Sequence, residues 1–191
     1  MNFSKLKLRI RYTLLVLLLV KLTTAQNEKS AVKMPVNEET KLVSYSNVIT
    51  ISGLGKGELY DKAFAWLSGF YKNPADVLRE KDRDAGTMLI KARFKIFSPL
   101  DKKSGVTAPA GDVQYSLMLD FKEGKFRYTL TEINWKQASY YPIERWMDKT
   151  SQTLNTNSDY FLQQTDENCK KVIADLVKTM TSTAAVKKDD W

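Results

Sequence analysis

The sequence predicts an α+β fold: an open antiparallel sheet covered by helices on one face only. Three observations point to it. Several segments place apolar residues at every second position and polar residues between them, the pattern of strands with one buried and one wet face. Two other segments repeat apolar residues every three or four positions, as amphipathic helices do. The order is strand, helix, four strands, helix, which gathers consecutive strands into one sheet and leaves the helices to cover one side.

The elements follow in order. Leu42 to Ile51 is rich in β-branched and aromatic residues and forms the first strand, which Ser52-Gly53-Leu54-Gly55-Lys56-Gly57 breaks. The spacing of Leu59, Ala63, Trp66, Leu67 and Phe70 predicts a helix over Glu58 to Tyr71, and Asn73-Pro74 stops it. Val77 to Asp82 is a short charged strand, followed by a turn at Asp84-Ala85-Gly86. Thr87 to Phe97 alternates cleanly: Met88, Ile90, Ala92, Phe94 and Ile96 face inward, and Lys91, Arg93 and Lys95 face outward. Val113 to Lys122 buries Val113, Tyr115, Leu117, Leu119 and Phe121. A short hairpin turn at Glu123-Gly124 leads into Lys125 to Trp135, where Phe126, Tyr128 and Leu130 face inward and Arg127, Thr129 and Thr131 outward. A C-terminal helix over Ser158 to Thr179 carries one apolar stripe of Leu162, Cys169, Val172, Ile173, Leu176, Val177 and Met180, with Ser158 as its N-cap and Asp159 at its positive end. Two connections are long, 98–112 and 136–157, and the second contains a short helix near Ile143 to Lys149.

The ends of the chain have other roles. Lys5, Lys7, Arg9 and Arg11 precede the apolar run Leu14 to Val20, and Thr23-Thr24-Ala25 supplies the small residues of a cleavage site. Residues 1–25 therefore read as a signal peptide, and the protein is expected to be exported, to the periplasm or beyond the cell. The apolar run is shorter than the roughly 20 residues of a spanning helix, so no transmembrane segment is expected after cleavage. Residues 26–40 read as a flexible polar leader, 41–182 as a single domain, and 183–191 as a frayed tail.

Composition removes several chemistries. The net charge of +8 is inflated by the signal peptide; without its five basic residues the chain holds 25 basic against 22 acidic, a net +3, too mild to imply a polyanionic partner. There is no histidine, which excludes Ser-His-Asp and Cys-His catalysis and His-ligated metals. The single cysteine, Cys169, cannot form an intramolecular bridge and sits on the apolar stripe of a helix. No enzyme activity, cofactor or metal is expected.

The stretch Gly55-Lys-Gly-Glu-Leu-Tyr-Asp-Lys-Ala-Phe-Ala-Trp-Leu67, the Asp84-Ala85-Gly86 turn and the hairpin Phe121-Lys-Glu-Gly-Lys-Phe-Arg-Tyr-Thr129 resemble a family of secreted bacterial domains of unknown function with a TATA-box-binding-protein-like (TBP-like) fold. The likeness covers about Val43 to Met180. It implies the β-α-β-β-β-β-α order and no activity. The DNA-binding namesake kinks the duplex with apolar wedges on its sheet. Here the outward residues are mostly Lys, Arg, Gln, Ser and Thr, so no nucleic-acid partner is expected.

Three motifs are better explained as local structure. Gly53-x-Gly55-x-Gly57 lies where phosphate loops lie, but Glu58 stands where the dinucleotide fingerprint needs glycine and would repel an anion. Asp82-x-Asp84-x-Gly86 and Asn155-x-Asn157-x-Asp159 lack the further oxygens of a calcium loop. Two surfaces are candidates for recognition. Lys91, Arg93, Lys95 and Arg127 form a positive stripe on the open sheet face, offset by Asp120 and Glu132; Tyr140, Tyr141 and Trp146 sit in a polar connection, where loop aromatics suit recognition. The leading expectation is a non-catalytic binding module for another envelope protein, a peptide or an amphipathic ligand. The alternatives are a helix-grip carrier of a lipid or other apolar molecule, and a carboxylate enzyme using Asp120 and Glu132.

Overall fold

A computed structural model describes residues 32–101, 103–136, 139–150 and 156–182. The expected signal peptide, the first part of the leader and the tail lie outside the described residues. The elements are β1 (Tyr45–Thr50), α1 (Lys56–Phe70), α2 (Pro74–Val77), β2 (Leu78–Asp82), β3 (Thr87–Phe97), β4 (Pro109–Lys122), β5 (Lys125–Lys136), β6 (Tyr140–Pro142), α3 (Glu144–Met147) and α4 (Ser158–Thr181). The strands form one six-stranded antiparallel sheet in the order β1-β5-β4-β3-β2. β1 covers the edge of β5 along 125–130, and the short β6 covers the same edge along 134–136.

The inward residues of the strands meet the apolar faces of α1 and α4. Ile90, Leu117, Leu119, Leu130, Leu59, Leu67 and Leu176 are fully excluded from solvent, and α1 packs on α4 as well as on the sheet. Polar ties fix the layers. Trp66 on α1 donates its indole N–H to Asp175 on α4 at 2.8 Å. Buried Lys62 donates to the carbonyl of Ser182, beside the negative C-terminal end of α4. Tyr45 on β1 donates to the buried carboxylate of Asp166 at 2.7 Å, and Lys170 balances that charge from one turn on. Cys169 is buried as its helical position implies, and burial pushes its thiol pKa up, away from thiolate chemistry.

Four features depart from the sequence expectations. The packed fold begins ahead of Lys41: Met34 is buried, Val36 bridges Val43, and Asn37 accepts hydrogen bonds from the backbone of Glu39 and Thr40. Residues 32–40 therefore belong to the domain rather than to a flexible leader. β4 begins at Pro109, so the 98–112 connection shrinks to a hairpin whose turn is held by the Asp101 carboxylate accepting from the Lys103 and Ser104 amides. The N-cap of α4 is Asn157, and Ser158 is its buried first residue. The helix in the second connection is a single turn, Glu144–Met147.

That single turn corrects the largest expectation about recognition. Trp146 is a core residue, 1% exposed, with its ring centroid 5.2 Å from Trp135 and 5.5 Å from Phe161. Replacing it should cost what removing a large buried aromatic costs. Trp146→Ala is expected to lower the unfolding free energy by about 3–5 kcal/mol, against about 0.5 kcal/mol or less for the exposed Tyr140→Ala, in urea melts followed by circular dichroism. Equal small effects would place Trp146 outside the core.

Candidate functional site

The site is built on a break in the alternation of β5. Phe126 and Leu130 face the helices, as the sequence implies, but so do Ile133 and Trp135, one residue out of phase. The pairing shows the cause. Ser116 pairs with Thr131 and Gln114 with Asn134, so the two residues Glu132 and Ile133 stand opposite Tyr115 alone. This is a β-bulge with its first residue in the left-handed region: Glu132 has φ of 52°, where glycine is the usual occupant. The Asn134 side-chain amide donates to the Glu132 carbonyl at 2.7 Å and steadies the kink. The bulge turns Ile133 and Trp135 into the core and Glu132 and Asn134 onto the open face.

Around the bulge lies an open depression of about 490 Å³, lined by Leu42, Lys91, Gln114, Glu132, Asn134, Tyr140, Pro142 and Glu144. The floor comes from β3, β4 and β5, and the wall from β6 and α3. Glu132 Oε2 accepts from the Ser116 hydroxyl at 2.6 Å and from Lys91 Nζ at 3.5 Å. The Ser116 bond, and to a lesser degree the Lys91 charge, hold the Glu132 carboxyl below the usual carboxylate range. Tyr140 donates its hydroxyl to Gln114 Oε1 at 3.3 Å, and Glu144 Oε1 accepts the Val43 amide at 2.7 Å.

The expected site residues separate into three groups. Lys91, Arg93 and Lys95 lie on the open face as the alternation requires, but each has an acidic neighbour: Glu132 for Lys91, and Asp112 for Arg93 (4.0 Å) and Lys95 (3.4 Å). Arg127 pairs with Asp120 at 3.0 Å. It is four positions along β4 from Lys91, about 13 Å at strand rise, so it stands outside the depression. The stripe is a set of local ion pairs rather than a continuous positive field. Tyr140 is 56% exposed and forms the rim of the depression. Tyr141 is half-buried, edge-on to Trp135 at 6.2 Å, with the Arg145 guanidinium 4.8 Å from its ring centre; Trp146 belongs to the core. Asp120 and Glu132 belong to separate ion pairs, and Asp120 does not line the depression. The open face is also less polar than expected, since Val48 and Met118 are exposed on it.

Gln114, Ser116, Asn134 and Glu144 escaped sequence reasoning. The phase slip from Leu130 to Ile133 was the signal that two polar residues of β5 change face. The glycine-rich turn behaves as the sequence implies: the Glu58 carboxylate accepts the Gly55 amide at 2.8 Å and Glu123 accepts the Lys56 amide at 3.1 Å, so carboxylates occupy the N-terminus of α1. Among the described residues no group of three or more acidic or thiol side chains is placed to hold a metal ion, and no helix is long and apolar enough to cross a membrane.

Residues 45–136 match the model of a domain of unknown function (DUF4468) with a TBP-like fold, and this stretch of the chain belongs to that family. Two solved structures share the fold. A TBP-like protein from Parabacteroides distasonis is 15% identical with a TM-score of 0.60, the match covering 79% of this chain and 99% of that one. A DUF4468 family protein from Bacteroides ovatus is 17% identical with a TM-score of 0.61, covering 81% and 93%. No curated protein matches the chain.

Two outcomes follow from the bulge. Because the Glu132 pKa is lowered on folding from its ordinary 4.5, its contribution to stability is present above that value and is lost as pH falls through the folded-state pKa. Ser116→Ala is expected to raise the Glu132 pKa, read from its side-chain carbon shift in an NMR titration, and to flatten the acid limb of stability; an unmoved titration would show that the hydroxyl does not hold the charge. At the backbone, Glu132→Gly is expected to be more stable than Glu132→Ala by about 1 kcal/mol or more in denaturant melts, since glycine adopts φ > 0 freely. Equal stabilities would mean that the left-handed turn carries no strain.

Proposed function

We propose that this protein is an exported, non-catalytic binding module that takes its ligand or partner on the open face of the sheet, over the depression centred on Glu132. The bulge carries this reading. A residue other than glycine in the left-handed region costs on the order of 1–3 kcal/mol, and such conformations persist where surrounding structure enforces them, often at functional sites. Here the strained residue presents a carboxylate, and the same bulge presents Asn134, on an uncovered face one strand in from the sheet edge.

The chemistry of the site favours binding over catalysis. A general acid needs a carboxyl pKa raised toward neutrality, whereas Glu132 is held low and ion-paired. An apolar carrier would need space between the sheet and α4, and that layer is filled by Tyr115, Leu117, Phe126, Leu162, Cys169 and Leu176. Tyr71 and Tyr115 close it further with a hydroxyl pair at 2.8 Å, and burial pushes the Tyr71 pKa up to about 12.

The test is a mixed panel of oligosaccharides, peptides and short-chain lipids added to isotope-labelled protein. Amide shifts from any binder are expected to cluster at Lys91, Gln114, Ser116, Asn134 and Tyr140. Shifts confined to the inward residues of β4 and α4 would favour a carrier instead, and the absence of any binder to the open face would remove the proposal.

A further inference from the structure

We infer that the depression around Glu132 is a saccharide-binding site, taking a neutral, polyhydroxylated sugar chain with one residue against the Tyr140 ring. This deepens the binding-module reading and rests on it. Its basis is the hydrogen-bonding capacity left over on the lining side chains. Glu132 uses Oε2 for both its partners, which leaves Oε1 as an acceptor. Asn134 spends an N–H on the Glu132 carbonyl and retains its side-chain oxygen. Gln114 uses its oxygen to accept from Tyr140, which leaves the two N–H donors of its amide. Lys91 holds only a long bond, and Glu144 retains Oε2. Spare donors on β3 and β4 thus stand beside spare acceptors on β5 and α3. A hydroxyl group, which donates and accepts at one atom, suits such a surface, and adjacent hydroxyls suit the planar amide and carboxylate groups.

Charge and shape narrow the class. The charged lining residues are Lys91, Glu132 and Glu144, of which Lys91 and Glu132 form a pair, so a strongly anionic ligand would meet the carboxylates and a strongly cationic one would meet Lys91. Leu42, Tyr140 and Pro142 supply apolar contact for the C–H face of a sugar ring. A peptide is a poorer fit. Peptide recognition draws on side-chain pockets or on main-chain pairing at a free sheet edge. The floor here is a sheet face whose strands β3, β4 and β5 are paired with one another, and its apolar residues stand at the rim.

The experiment uses the mature exported chain on an array of neutral and acidic glycans and on a parallel peptide array, with positives titrated calorimetrically as free oligosaccharides. Neutral glycans are expected to bind. Tyr140→Ala, Gln114→Ala and Glu132→Gln are each expected to weaken binding about tenfold or more, at unchanged melting temperature for the exposed Tyr140 variant. Glu167→Gln, on the outer side of α4, should leave it unchanged. Silence of all neutral glycans, or binding indifferent to Tyr140 and Gln114, overturns the inference. Peptide binding weakened by Tyr140→Ala while glycans stay silent overturns it too, yet leaves the docking face standing; silence on both arrays removes both.

Discussion

The extra residue in β5 is the constraint on which the rest of the structure depends. A strand has period two, so an inserted residue exchanges the faces of everything beyond it. Without the insertion, Glu132 and Asn134 would point into the helix layer and Ile133 and Trp135 into water. With it, Ile133 and Trp135 become core, and Trp135 meets Trp146 and Phe161 at centroid distances of 5.2 and 6.4 Å. A carboxylate and an amide emerge on the opposite face at the same point. The aromatic core and the polar depression are two consequences of one backbone event, and the left-handed Glu132 is what both require.

The helix layer shows why only one face of the sheet is available. α1 and α4 bury the inward residues of the central strands, and polar ties hold the layers in place: Trp66 to Asp175 and Lys62 to Ser182 join the two helices, and Tyr45 to Asp166 joins β1 to α4. Among the described residues each buried side-chain nitrogen or oxygen has a partner, which matters because an unpaired one would cost about 1–3 kcal/mol. On the other face the side chains pair within the sheet, Arg127 with Asp120 and Lys95 with Asp112. Such exposed pairs add little stability, but they cancel the field that four basic residues would otherwise make. The edges differ as well. β2 is short and charged, Leu78-Arg-Glu-Lys-Asp82, a composition that discourages further strand pairing.

Much of this was legible in the sequence, and particular residues show why. β3 runs over Thr87–Phe97 as its alternation implies, because eleven residues of clean period two leave no other register. The stripe on α4 and the turn at Gly124, with φ of 69°, were equally determined by local chemistry. What escaped was set by tertiary contact. Three residues ending in Pro142 give no usable period, so β6 shows itself only by pairing with β5. Trp146 lies in one turn of helix within a polar connection, and only the position of Trp135 across the bulge makes it core. Met34 lies with Val32 and Val36 in a short stretch without a sustained period, and it is buried where Val36 bridges Val43. At the site, alternation placed Lys91, Arg93 and Lys95 on the open face, while Asp112, the acidic partner of Arg93 and Lys95, was hidden inside an apparent loop.

The depression is shallow, yet its wall is held from behind. α3 carries Trp146 into the core on one side and Glu144 toward the depression on the other. Glu144 in turn accepts the amide of Val43, and Thr131, the residue before the bulge, donates to the Val43 carbonyl at 3.0 Å. The N-terminal arm, the bulge and the wall are therefore joined through one buried residue, Val43. A loop wall would adjust to each ligand and lose entropy in doing so. This wall is tied to the aromatic core through Trp146 and to the bulged strand through Val43, so its polar groups are positioned before any ligand arrives. Binding at the proposed site would draw on preorganisation of that kind, because a site ordered in advance spends little of the interaction energy on ordering itself.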